Sequence, residues 1–150
     1  MTTPGENRRT GIVPGLRYRD ALRMIDWLCD AFGFEQRVIY KGEGNVVMHA
    51  ELRFGTGMIM IGSMDNGTPS SAYMTHPDAT GGLETQSCYL VVGAAEIDSL
   101  YTTVQAAGGA IVFRLQDNGP AGRSFTCRDP EGHVWQFGTF DPWNGSRDAP

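Results

Sequence analysis

At 150 residues the chain has the length of one ordinary domain, enough to bury a core without disulfides or a structural metal. Apolar residues at 41% and charged residues at 19% fit a soluble globular protein, and no apolar run approaches the about 18 residues that a membrane span needs. The net charge of -5, with no basic cluster beyond Arg8-Arg9, lacks the electrostatic footprint of a nucleic-acid binder, so neither membrane nor nucleic acid is an expected partner.

Residues 1–10, MTTPGENRRT, hold no apolar core for a signal peptide and read as a flexible N-terminal segment. Without a secretory signal, the Asn66 and Asn144 glycosylation-type triplets carry no meaning. A short apolar strand is expected over 11–18, with Pro14 placing it at an edge or kink. A helix follows. Asp20 is its N-cap, Leu22, Ile25, Leu28, Cys29 and Phe32 recur at helical spacing, and Arg23, Asp26 and Asp30 mark the wet face before Gly33 ends it. Strands are then expected over 34–41, 46–54 and 58–62, joined by turns at 42–45 and 55–57. Residues 11–62 thus form a βαβββ module.

Residues 63–84, SMDNGTPSSAYMTHPDATGGLE, are long for a loop inside a compact unit and natural for a linker or lid between two. The second module, 85–140, repeats the order: a strand over 85–92, a helical stripe of Ile97, Leu100, Tyr101, Val104 and Ala107 ended by Gly108-Gly109, then strands over 110–115, 123–127 and 133–139. Its last hairpin, RDPEGHVWQFGTF, puts a tight turn before an alternating run. His133, Trp135 and Phe137 share one face of that strand, and Val134, Gln136 and Gly138 share the other. A glutamine beside a glycine, opposite a large aromatic face, asks for an explanation. His76 and His133 read as surface histidines. Residues 141–150 are a C-terminal tail in which Trp143 is expected to fold back as a clasp. The three cysteines, Cys29, Cys88 and Cys127, are odd in number and lie in apolar segments, as buried thiols of a reducing, cytoplasmic setting would.

A tandem βαβββ pair closing on a D-P-x-G turn and an aromatic strand resembles the vicinal oxygen chelate superfamily, the glyoxalase, bleomycin-resistance and extradiol-dioxygenase group, and is most similar to its PhnB-like branch. The residues that carry the resemblance are LRYRDALRMIDWLCDAFGFE at 16–35, HAELRFGTGMIMIG at 49–62 and RDPEGHVWQFGTFDPW at 128–143. With the second helix they cover 11–143. The resemblance implies an α+β fold in which tandem βαβββ modules form a curved mixed sheet around a cavity, with helices outside and one structural domain overall. It also implies a homodimer.

Enzymes of this superfamily usually hold one divalent metal with His and Glu side chains from the first and last strands of each module. Aligning the repeat puts Val13, Met60, Ser87 and Gln136 at those positions. Valine cannot ligate, methionine suits soft copper, and serine and glutamine offer weak neutral oxygens, so the usual metal site is expected to be absent and no cofactor is expected. Gln136 then either hydrogen-bonds a ligand or ties adjacent strands. His49 and Glu51 lie two apart on one strand, roughly 7 Å apart at Cα. They are either the minimal kit for general acid–base catalysis or part of a solvated strand face. Arg17, on the cavity face of the first strand, either holds a ligand carboxylate or forms a salt bridge at a dimer rim. The candidate ligand-binding residues are Arg17, Met60, Ser87, Tyr89 and Gln136, and Met48, Met58, Met60 and Trp27 either line an aromatic-binding wall or are plain core.

Two functions follow. The first is a bleomycin-resistance-like small-molecule binding protein without the metal, its groove shared by two subunits. The alternative is a metal-dependent lyase, isomerase or dioxygenase using a non-standard set such as His49, Glu51 and Gln136. Nothing resembles a P-loop, a dinucleotide fingerprint or a nucleophile elbow.

Overall fold

The structure is a computed structural model and describes residues 11–144. The segment 1–10 and the end of the tail lie outside the described residues. In chain order the elements are β1 (Gly15–Tyr18), α1 (Ala21–Phe32), β2 (Glu35–Lys41), β3 (Val47–Phe54), β4 (Gly57–Ser63), β5 (Cys88–Val91), α2 (Ile97–Ala106), β6 (Ala110–Asp117), β7 (Arg123–Arg128) and β8 (Val134–Gly138), with short 3-10 turns in the connections. They build two four-stranded mixed sheets of the same order, β1-β4-β3-β2 and β5-β8-β7-β6. In each the first strand pairs parallel with the last, and the other pairs are antiparallel. This is the α+β, tandem βαβββ fold that the sequence pattern implied.

The chain divides into two compact units, one holding the chain up to Cys29 together with Gly33–Thr75, the other Asp30–Phe32 and the chain from His76 onward. In the first unit, α1 begins where Asp20 accepts from the backbone N–H of Arg23 at 3.3 Å and ends at Gly33, whose φ of 86° is the left-handed conformation that glycine adopts without a Cβ clash. Met24, Ile25 and Leu28 are buried on its inner stripe while Arg23 and Asp26 stay wet. Alternation then sorts the sheet: Ala50, Leu52, Ile59 and Ile61 are buried on one face. The opposite, open face carries two rows across the strands. One runs Gly15, Met60, Glu51, Val38; the other joins Arg17 to Gly62 and His49 to Tyr40.

In the second unit Phe125, Cys127, Trp135, Phe137 and Leu90 are buried together, and the open face carries the row Tyr89, Gln136, Thr126. The aromatic cluster is dense. Phe32, the last residue of α1, meets Trp135 edge-on at 5.3 Å and Phe137 at 4.8 Å, and Phe125 stacks on Phe137 at 5.2 Å. Such pairs contribute about 0.5–1.5 kcal/mol each beyond their buried area. Trp135 faces this core and Gln136 the open side, so the register read from the alternation holds.

Three expectations are corrected. His76 and His133 are buried rather than at the surface, because each finds a carboxylate: His76 Nε2 lies 2.8 Å from Glu131 and His133 Nδ1 lies 3.0 Å from Glu84. Trp143 is 90% exposed and makes no clasp. The parallel strands are shorter than the apolar runs that suggested them, β1 starting at Gly15 because Pro14 has no N–H to give, although its carbonyl accepts from Met60 at 2.9 Å.

Candidate functional site

The open face of the first sheet gathers four of the candidate residues: Arg17, His49, Glu51 and Met60. His49 Nε2 lies 2.8 Å from Glu51 Oε2, and the second carboxylate oxygen, Oε1, lies 3.2 Å from Arg37 Nε on the neighbouring strand. An ionised carboxylate only accepts, so Nε2 is the nitrogen that carries the proton and donates. Tyr40, the register partner of His49, lies nearly parallel to its ring with centroids 6.2 Å apart. The His49 side chain remains 39% exposed, so the dyad is reachable from solvent.

Arg17 is 5% exposed. One amino group of its guanidinium donates to the Ser63 carbonyl at 2.7 Å, and the other donates to Thr68 Oγ1 at 2.7 Å and to Ser70 Oγ. Burial pulls its pKa below the usual guanidinium value, against the opposing pull of Tyr73 and Asp65. Its register partner is Gly62, and a Cβ there would stand 2.9 Å from the guanidinium and 2.9 Å from the Asn66 amide. Asn66 in turn donates to the carbonyls of Val47 and Met48 and accepts from the Thr68 backbone N–H. Arg17 and Asn66 therefore fasten the segment after β4 to the sheet, with Met74 filling the space above Gly15. The sequence offered Arg17 as a partner for a ligand carboxylate or as a dimer-rim salt bridge; its role as an anchor for residues 63–70 was not legible there.

The open face of the second sheet explains the glutamine beside the glycine. Tyr89 pairs with Gln136, and its ring lies across Gly138: a Cβ on that glycine would stand 2.3 Å from the phenol oxygen. The phenol donates to the Phe140 carbonyl at 2.7 Å, and burial raises its pKa, with Asp141 adding to the rise and the hydrogen bond opposing it. Gln136 is half-buried between Tyr89 and Thr126. Ser87 is exposed just before β5 and lines a cavity of about 310 Å³ with Glu84, Arg128 and Val134.

Each sheet can be tested separately for the metal that this fold often carries. In the first, Val13 offers no donor and Met60 only a thioether; in the second, Ser87 and Gln136 offer neutral oxygens. Neither pair suits a hard or borderline divalent ion. Among the described residues no group of three or more His, Cys, Asp or Glu side chains is placed to hold a metal ion. The histidine–carboxylate pairs of the second unit lie around its last turn instead. Asp129, 3% exposed, accepts from the backbone N–H groups of Glu131 and His133 and from Trp135 Nε1 at 3.0 Å, which fixes the turn that the D-P-x-G signature announced. No helix among the described residues is long and apolar enough to cross a membrane.

Residues 12–137 match the family model of the Glyoxalase/Bleomycin resistance protein/Dioxygenase superfamily. Among solved structures the chain is similar to TioX from Micromonospora sp. ML1, with 30% identity over 84% of this chain and 94% of that one and a TM-score of 0.63. It shares its fold with a fosfomycin resistance protein, FosX, of Listeria monocytogenes complexed with Mn(II) and 1S,2S-dihydroxypropylphosphonic acid, at 15% identity, 89% and 92% coverage and a TM-score of 0.62. It shares the fold as well with a PhnB protein from Bacillus cereus described as a putative 3-demethylubiquinone-9 3-methyltransferase, at 18% identity, 85% and 98% coverage and a TM-score of 0.62. No curated protein matches the chain.

Proposed function

The chain belongs to the glyoxalase/bleomycin resistance protein/dioxygenase superfamily, and from that membership we propose that it is a small-molecule binding protein working without the superfamily's usual divalent metal. The observation that carries the reading is the chemistry at the four positions where the resemblance puts the ligands: a valine, a thioether, a hydroxyl and an amide. Uncharged oxygens and a thioether give a first-row divalent ion too little stabilisation against losing its water. The open faces instead carry groups that contact organic ligands: Met60 is partly exposed on the first sheet, and Tyr89 is partly exposed beside Gln136 on the second. Elemental analysis of protein purified without chelator tests this. Well under one metal per chain is expected, and stoichiometric zinc, iron or manganese contradicts it.

The alternative, a metal-dependent lyase, isomerase or dioxygenase, draws on one observation, the His49–Glu51 contact at 2.8 Å. Both carboxylate oxygens of Glu51 are already engaged, one by His49 and one by Arg37, so a metal at the pair would displace an existing ion pair. Should metal be found, H49A and E51A made singly locate it: loss of metal in either variant moves the choice to the enzyme.

We propose a homodimer as the working form. Edge strand β6 exposes Val112 and Phe113, the latter 63% exposed, and an apolar edge of this kind is stabilised by burial against a second copy. Light scattering on a sizing column should return twice the chain mass at micromolar concentration; a monomer mass removes the proposal. Cys29, Cys88 and Cys127 are thiols rather than disulfides, which supports a reducing, cytoplasmic setting.

A further inference from the structure

We infer that His49 is a metal-independent proton acceptor on the open face of the first sheet, and that the ligands it selects are small apolar molecules bearing an acidic hydroxyl, a phenol or an enol, bound as their anions. The inference rests on the reading of that face as a small-molecule site and names the chemistry it recognises.

Three features of the geometry carry it. Glu51 Oε2 accepts a hydrogen bond from Nε2–H at 2.8 Å, which leaves Nδ1 as the nitrogen that can receive a proton from a ligand. Arg37 Nε, 3.2 Å from the other carboxylate oxygen, holds Glu51 turned toward the imidazole. The ring itself is 39% exposed at its side chain, unlike His76 and His133, which are buried against their own carboxylates. In the step, the O–H bond of the ligand breaks, the Nδ1–H bond forms, and the electron pair stays on the ligand oxygen. The resulting imidazolium is stabilised by Glu51 and the anion by the imidazolium.

The surroundings say which hydroxyls qualify. On β2, Tyr40 lies nearly parallel to the imidazole and Val38 pairs with Glu51; on β4, Met60 pairs with Glu51 from the other side. The titratable and charged groups that contacts and strand pairing place around the imidazole are Glu51 on its own strand and Arg37 and Tyr40 on β2. Arg37 balances the Glu51 carboxylate, so once His49 takes a proton the group carries a net positive charge and favours an anion beside the imidazolium over a cation. Met60, Val38 and the Tyr40 ring give an apolar surface for the frame that bears the hydroxyl. Glu51 and Arg37 are positioning residues, since they reach the ligand only through His49.

The probe is 4-nitrophenol, whose phenolate absorbs apart from the phenol, with 4-nitroanisole as the same frame without an acidic proton. At a pH below the titration of the free phenol, bound 4-nitrophenol should show the phenolate band and bind about tenfold or more tighter than 4-nitroanisole. H49Q should lose the phenolate band and that preference while still binding 4-nitroanisole. E51Q should move the pH at which the band appears, a change that a merely structural role would not produce; it serves also where H49Q fails to fold. A bound neutral phenol, a band that persists in H49Q, or an unmoved pH profile in E51Q overturns the inference. Equal binding of the two probes leaves the small-molecule reading standing and sinks this one; if neither probe binds to the face, this inference falls and the thermal-shift screen described below decides the broader reading.

Discussion

The phenol end of Tyr89 lies over Gly138, so close that a Cβ there would stand 2.8 Å from two ring carbons and 2.3 Å from the phenol oxygen. The glycine is therefore a packing requirement of the neighbouring strand. G138A should cost about 1–3 kcal/mol of stability, the usual penalty of overpacking. In a Y89A background the same change should cost much less, because the ring that meets the new methyl is gone. Urea unfolding of the two single variants and the double variant reads this coupling, and additive effects would remove the explanation.

Asp129 is the second point of leverage. It is buried and accepts from Glu131 N, His133 N and Trp135 Nε1. D129A leaves interior donors without their acceptor, at about 1–3 kcal/mol for each that finds no water. A loss of several kcal/mol is expected, with the tryptophan emission of the folded state altered. W135F removes only one of the three donors and should be milder at the turn, which separates the carboxylate's effect from the ring's. A D129A variant as stable as the parent would show that the turn holds without it.

Stability should also fall on the alkaline side. Burial, with help from Asp129, pushes the Cys127 thiol up to about 12, and burial with help from Glu84 pushes Cys88 up to about 11. Both shifts favour the protonated form in the folded chain. Once pH passes the ordinary thiol range, the unfolded chain releases protons that the folded chain still holds, so the unfolded state binds fewer and stability declines with rising pH. The decline runs from the ordinary thiol value up to about 11 for Cys88 and about 12 for Cys127. The urea midpoint should drop over this window, and the drop should be smaller in C127A. An unchanged slope in that variant would place the alkaline effect elsewhere.

What could be read ahead of the structure was local. Asp20 and Gly33 bracket α1 because capping chemistry is decided by a few adjacent residues, and the alternation after Gly132 placed Trp135 inward and Gln136 outward without any distant information. Burial of His76 and His133 was not legible, since the carboxylates that make it tolerable, Glu131 and Glu84, lie 55 and 49 residues away. The same holds for Arg17, whose partners Thr68 and Ser70 sit in the connecting segment 51 and 53 positions on. Arg37 was missed for another reason: it occupies the irregular step between Gln36 and Val38, where simple alternation stops assigning a face. His49 and Glu51 could be placed on one face because they lie two apart on one strand, whereas Met60, which pairs with Glu51, was reached through the resemblance.

The most direct measurement of the central claim is thermal shift against a small-molecule library, run with a chelator and again with added divalent metal. Ligands that raise the melting temperature equally in both conditions are the expected result, since binding to the native state stabilises it by mass action and no metal is required. Stabilisation that vanishes in chelator, or metal alone raising the melting temperature, would contradict it.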